Sequence, residues 1–180
     1  IKGKALGAPV YDLLGGKVRD RMPVYRWIGG DRPSEVVASA KEAIAQGYSA
    51  VKMNGTSELM WIDTYRRVDE AVSRIAQVRE AVGNTLEIAV DLHGRVHKTM
   101  AKVLMHELEP LRLMFIEEPV LTENEDEFLE LSRGSHIPIA TGERNYTRWG
   151  FKRMLTRGGV DIVQPDVSHA GGIFETRKIA

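Results

Sequence analysis

The segment Ile88-Ala-Val-Asp-Leu-His-Gly-Arg95 decides how this chain is read. An apolar run ends in Asp91 and His93, and the chain then turns at Gly94. Residues two apart in a strand point to the same face, so a carboxylate and an imidazole leave one strand end side by side. The pattern recurs downstream. Leu113-Met-Phe-Ile116 runs into Glu117-Glu118-Pro119, Ile137-Pro-Ile-Ala140 into Thr141-Gly142-Glu143, and Val160-Asp-Ile-Val163 into Gln164-Pro165-Asp166. Asp91, Glu117 and Glu143 follow one another at intervals of 26 residues, and Asp166 comes 23 residues after Glu143. Such an interval holds one strand, one helix and two short loops. Successive βα units therefore deliver an acid to the same end of one sheet.

Outward from this segment the alternation covers the chain. Strands are predicted at residues 24–28, 49–55, 86–90, 113–116, 138–140 and 160–163. Pro9 opens a short helix that Gly15-Gly16 ends, and Pro33 sits in the first turn of the next, which Gly47 closes. Val36, Val37, Ala40 and Ile44 are the expected buried stripe of that helix. A helix over residues 63–82 carries Val68, Ala71, Val72, Ile75, Val78 and Val82, with Gly83 as its cap. Met100, Val103, Leu104 and Leu108 mark a helix that stops before Pro110; residues 125–131 and 149–155 form two more, and Gly171-Gly172 opens a last one.

The strands are apolar without polar alternation, as in sheets covered on both faces. Strict βα alternation argues for a parallel sheet under helices. A doubly wound sheet is the competing architecture. No Gly-rich phosphate loop follows any strand, however, and the polar residues are spread over at least four strand ends. That distribution suits a barrel with its site at the C-terminal face. The expected fold class is α/β, a partial (β/α)8 TIM-type barrel of about six βα units. Because a whole barrel takes ~200 residues or more, residues 22–180 are expected to be an incomplete catalytic barrel. Residues 1–21 are expected to be a lead-in from an N-terminal lid domain.

Composition bounds the function. The chain has 180 residues, with 25 Lys and Arg against 25 Asp and Glu, so its net charge is zero. That balance gives no reason to expect a nucleic acid or an anionic membrane as partner. A hydrophobic content of 43% is enough for a real core. With no cysteine there is neither a disulfide framework nor thiolate chemistry, which fits a reducing, cytoplasmic setting. No apolar run approaches the ~18 residues of a membrane span.

On the barrel reading, Asp91, Glu117 and Glu143 converge on one point. Three bare carboxylates repel, and a divalent cation removes that repulsion. All-oxygen ligation without Cys or clustered His suits Mg²⁺, or Mn²⁺, over Zn²⁺. Adjacent Glu118 is expected on the opposite face of its strand, which favours Glu117 as the ligand. His106 reads as part of a solvated helix face and His169 as part of the site mouth. Arg144 and Arg95 read as members of surface pairs, and Trp27, Trp61 and Trp149 as packing residues.

Asp91-Leu-His93-Gly-Arg95, Ile116-Glu117-Glu118-Pro119-Val120, Gly142-Glu143-Arg144 and the run from Gln164-Pro-Asp166 to Gly171-Gly172 carry a resemblance. The chain resembles the mandelate racemase branch of the enolase superfamily over essentially its whole length. Gly3-Lys4, Pro9-Val10 and Leu14-Gly15-Gly16 match as well. The resemblance implies Mg²⁺ at Asp91, Glu117 and Glu143, and dehydration of a sugar acid of the galactonate type. It gives the general-acid role to His93. It makes Asp166 the partner of a catalytic His expected beyond residue 180. Racemases of the group carry a second Lys two residues after the first on the second strand, where this chain has Lys52-Met-Asn54. Asn cannot abstract a proton. A two-base racemisation thus lacks a base, whereas Lys52 and Asn54 are suited to bind the substrate carboxylate. Another dehydratase, or a racemase or epimerase, of the same superfamily, or an inactive truncated barrel, are the alternatives. A homo-oligomer is expected, with a small sugar acid as the substrate.

Overall fold

The computed structural model describes residues 1–30, 32–57 and 59–180. Six strands form one parallel sheet in sequence order: β1 (Arg26–Trp27), β2 (Ala50–Asn54), β3 (Glu87–Asp91), β4 (Phe115–Glu117), β5 (Ile139–Thr141) and β6 (Ile162–Val163). Helices follow the strands as expected: α3 (Pro33–Ala45), α4 (Tyr65–Val82), α5 (Lys98–Leu108), α6 (Glu125–Gly134), α7 (Arg148–Arg157) and α8 (Ile173–Ile179). Two short helices, α1 (Lys2–Leu6) and α2 (Val10–Leu13), precede the sheet and bury no residue. Gly7 ends α1 at φ 59°, and Pro9 is the N-cap of α2.

Period-two alternation sorts the strand side chains. Val51, Met53, Ile88, Val90, Ile116 and Ile139 are fully buried in the large cluster shared with the helices. Each such aliphatic side chain contributes about 1.5–3 kcal/mol through the water it no longer orders. Opposite them, Ala89, Phe115 and Ala140 form a small second cluster with Ile162 against it. This second face is the concave one. Tyr25, just ahead of β1, meets Phe115 of β4 edge-on at 6.0 Å and is within 3.3 Å of Gln164, just past β6. Residues at the first and last strands meet only because the sheet curls.

Helix α4 shows how the pattern specifies its own burial. Val68, Ala71, Ile75, Val78 and Val82 recur at three and four residues and are all buried, and Gly83 ends the helix at φ 58°. Pro110 falls just after α5, in a 3₁₀ turn over Glu109–Leu111. The stripe of α3 differs from expectation by one position. Val36, Ala40 and Ala43 are buried, whereas Ile44 is 38% exposed. Ala43 lies seven residues from Val36, close to two full turns, while Ile44 is rotated a further 100° off that face. Strands β1 and β6 are also shorter than expected: exposed Val24 lies ahead of β1, and Val160–Asp161 lie ahead of β6.

Candidate active site

The polar residues of the concave face lie two residues beyond its apolar floor. Asp91 follows Ala89 on β3, Glu117 follows Phe115 on β4, and Gln164 follows Ile162 at β6. Register sets them side by side: Lys52 is level with Ala89, Asn54 with Asp91, Asp91 with Glu117, and Glu117 with Ala140. Asp91 and Glu117 are only 2% and 3% exposed.

Lys52 reaches both acids. Its Nζ donates to Glu117 Oε2 at 2.5 Å and lies 3.2 Å from Asp91 Oδ2. The rings of Tyr25 and Trp27 flank the ammonium at 5.7 Å and 5.4 Å. Gln164 Nε2 donates to Glu117 Oε2 at 3.2 Å, tying β6 to β4. Burial alone would lower the Lys52 pKa, but hydrogen bonding to Glu117 and the charges of Asp91 and Glu117 hold it above the ordinary value. Burial pushes the Glu117 carboxyl up, the Asp91 charge adds to this, and the contacts with Lys52 and Gln164 only partly oppose it. One ammonium thus faces two buried carboxyl groups, whose formal charge exceeds its own.

His93 stands beside this centre, as expected. Its N–H donates to Asp91 Oδ1 at 2.9 Å, and its Nδ1 is 3.2 Å from the same oxygen. The residue adopts φ 52°, so the chain has left the strand and turns back. Trp27 touches the imidazole edge-on at 6.3 Å.

Glu118 is placed by its backbone rather than by strand alternation. The strand ends at Glu117, and Glu118 takes φ 42°. Its side chain is wholly buried, and Oε2 accepts the Nε–H of Arg144 at 2.9 Å. Burial pushes this carboxyl up to about 7, against the lowering effect of Arg144. Arg144 is therefore no surface pair: it serves a buried acid, and its Nη2 reaches the His93 carbonyl at 3.3 Å.

Glu143 is one turn beyond the register row. Its carbonyl accepts a hydrogen bond from His169 Nδ1 at 2.6 Å. The N–H of His169 in turn donates to Asp166 Oδ1 at 2.7 Å, and this bond holds the exposed Asp166 carboxyl below its ordinary range. Among the described residues no three Asp, Glu, His or Cys side chains are grouped closely enough to hold a metal ion. The structure therefore brings Asp91, Glu117, Lys52 and His93 together, and leaves the Glu143 carboxylate and Asp166 outside that contact group. Asn54 is exposed and borders a cleft of about 420 Å³ with Thr56, Ser57, Arg67 and Arg95. The tryptophans are not packing residues. Trp27 borders the site, Trp61 is 72% exposed and stacks on His97 at 3.7 Å, and exposed Trp149 lies under Arg148 and Lys152.

The donor set of Asp91 and Glu117 fits a divalent hard cation. Both are oxygen ligands, both are buried, and together they carry more negative charge than Lys52 neutralises.

Sequence reading missed Gln164, Tyr25 and Trp27. The alternation that singled out Asp91 and Glu117 would have found Gln164, two residues past Ile162, and Tyr25, just ahead of β1, two residues before Trp27.

A curled parallel sheet with its polar cluster at the C-terminal strand ends is the architecture of part of an α/β barrel. The chain belongs to the Enolase C-terminal domain-like family, which matches residues 35–180. It is 57% identical, over all of its 180 residues, to a D-galactonate dehydratase of Ralstonia pickettii (strain 12J), and covers 47% of that protein. It is 55% identical to a D-galactonate dehydratase of Pectobacterium atrosepticum, again covering 47%. The chain spans about half the length of the curated relatives it matches. A crystal structure of an enolase superfamily member from Salmonella Typhimurium superposes with a TM-score of 0.91 at 30% identity, over 99% of this chain and 51% of the other.

Proposed function

We propose that this chain forms the metal-bearing half of a sugar-acid dehydratase site that converts D-galactonate to 2-dehydro-3-deoxy-D-galactonate. The observation that carries the reading is the buried Asp91–Glu117 pair, which Lys52 alone does not neutralise. The D-galactonate dehydratase relatives support the substrate.

Asp91 and Glu117 would hold Mg²⁺ or Mn²⁺, with Glu143 as third ligand. The cation supplies Lewis-acid stabilisation of the charge that α-proton loss places on the substrate carboxylate. Lys52 neutralises part of the same carboxylate, and Asn54 donates a hydrogen bond to it. Asp166 orients the His that takes the α-proton and raises its basicity. His93, polarised by Asp91, protonates the 3-hydroxyl, so that the carbon–oxygen bond breaks and water leaves. The enol then tautomerises to the 2-oxo acid. Asn54 cannot abstract a proton, which disfavours two-base racemisation.

The test uses the complete protein with Mg²⁺ and D-galactonate. The 2-dehydro-3-deoxy acid is the expected product, with turnover abolished by EDTA. Epimerisation at C2 without loss of water would exclude the dehydratase reading. Turnover of another sugar acid, with none of galactonate, would overturn the substrate.

A further inference from the structure

Two non-glycine residues in the site loops hold a left-handed backbone, His93 at φ 52° and Glu118 at φ 42°. Such a conformation is strained for a residue with a Cβ and persists only where its surroundings over-determine it. Here one guanidinium grips both residues. Arg144 Nε donates to Glu118 Oε2 at 2.9 Å, and Nη2 donates to the His93 carbonyl at 3.3 Å. The backbone adds two ties. Gly94 N–H donates to the Glu118 carbonyl at 2.8 Å, and Glu118 N–H donates to Ala140 O at 3.0 Å. The loops after β3, β4 and β5 are thereby cross-linked at the turn that aims the His93 imidazole at Asp91.

We propose that the Glu118–Arg144 pair positions His93. Glu118 is the buried anchor, Arg144 the bridge, and the His93 carbonyl the point of grip. Neither Glu118 nor Arg144 needs to touch the substrate. The planar fork of Arg suits this task, because it presents two N–H groups in fixed relation, one for the carboxylate and one for the carbonyl. A lysine would retain the charge opposite Glu118 without the second, fixed donor.

This inference rests on the reading of His93 as the acid that protonates the leaving hydroxyl. The experiment compares Arg144→Lys, Glu118→Gln and His93→Asn with the unaltered complete protein. Dehydration of D-galactonate and exchange of its α-proton in D₂O are measured at saturating Mg²⁺, together with the thermal midpoint. Arg144→Lys is expected to lower dehydration by up to about 10²-fold, the effect of a misplacement near 1 Å, with α-proton exchange nearly unchanged. Glu118→Gln keeps an acceptor for Arg144 and is expected to fall between. If Arg144→Lys does not fold, Glu118→Gln carries the same comparison. Equal losses of dehydration and exchange would make the pair merely structural and overturn the inference, as would no change in either rate. Normal dehydration by His93→Asn would remove the reading of His93 itself. An inactive His93→Asn beside an unimpaired Arg144→Lys would overturn the positioning role alone.

Discussion

Asp91 and Glu117 are direct register partners across β3 and β4, and they share a single ammonium, that of Lys52. Both carboxylates are almost wholly buried. Taking two anions out of water is costly unless opposite charge is supplied, and one lysine supplies half of it. The arrangement is the electrostatic basis for the predictions that concern the metal.

Glu117→Gln in the complete protein is expected to weaken Mg²⁺ binding by at least about tenfold, since it removes a charged ligand and leaves a weaker neutral one. Glu143→Gln is expected to do the same if the loop after β5 closes on the cation. Isothermal titration with Mg²⁺ alone reads both. Unchanged affinity in both variants would remove the assignment of these acids as ligands.

Lys52 and the cation are attracted to the same two carboxylates. Lys52→Met is therefore expected to tighten Mg²⁺ binding while it raises the Kd for D-galactonate, because the substrate carboxylate loses its counter-charge. Opposite movements of the two affinities are the signature. A parallel loss of both would show that Lys52 supports the site's structure and does not compete with the metal.

Gly142 adopts φ 152°, and a Cβ there would lie 2.8 Å from the backbone N and C of Gln164. Gly142→Ala must separate the loops after β5 and β6. A destabilisation of about 1–3 kcal/mol is expected from the overpacking, with weaker Mg²⁺ binding because Gln164 is pulled from Glu117. Urea unfolding and Mg²⁺ titration of the variant measure the two effects. A wild-type urea midpoint would show that the loops are not closely packed there.

On the outer surface, Glu130 of α6 pairs with Lys102 and Lys98 of α5, and hydrogen bonds from these two hold its carboxyl below the ordinary value of 4.5. A carboxyl with a lowered folded pKa contributes stability at pH above its unfolded value and loses it as pH falls through the folded value. Glu130→Gln should therefore lower Tm slightly at neutral pH and leave it unchanged once the pH is below the lowered folded pKa. The pair is exposed, so added salt should shrink the neutral-pH difference as well. A Tm difference that persists in acid would assign the effect to packing.

Local sequence determined the elements and the face of the polar row. Apolar runs ending in Asp91, Glu117 and Glu143 at one spacing specify βα units, because the length of a unit and the two-residue alternation of a strand are properties of the backbone. That alternation places Asp91 and Glu117 on one face before any tertiary contact exists. The position of Gly83 after a three-and-four repeat likewise defines α4. Even the error at Ile44 was local, a single step around α3.

What the tertiary structure alone decided begins where the strands stop. At Glu118 and His93 the backbone turns left-handed, so alternation no longer says where a side chain points. Arg144 joins Glu118 across 26 residues and His93 across 51, and Gln164 meets Tyr25 across 139. The 26-residue repeat brings the segments of Glu118 and Arg144 to neighbouring strand ends, but no repeat says that their side chains pair or that residues 51 and 139 positions apart touch. These contacts exist because the right-handed twist of a parallel sheet curls its six strands, and curvature is a collective property of the packed sheet that no single segment encodes. Strand alternation marked Asp91 and Glu117 for the concave face, whereas the curl of the sheet decided that Lys52, Gln164 and the Tyr25 and Trp27 rings gather around them.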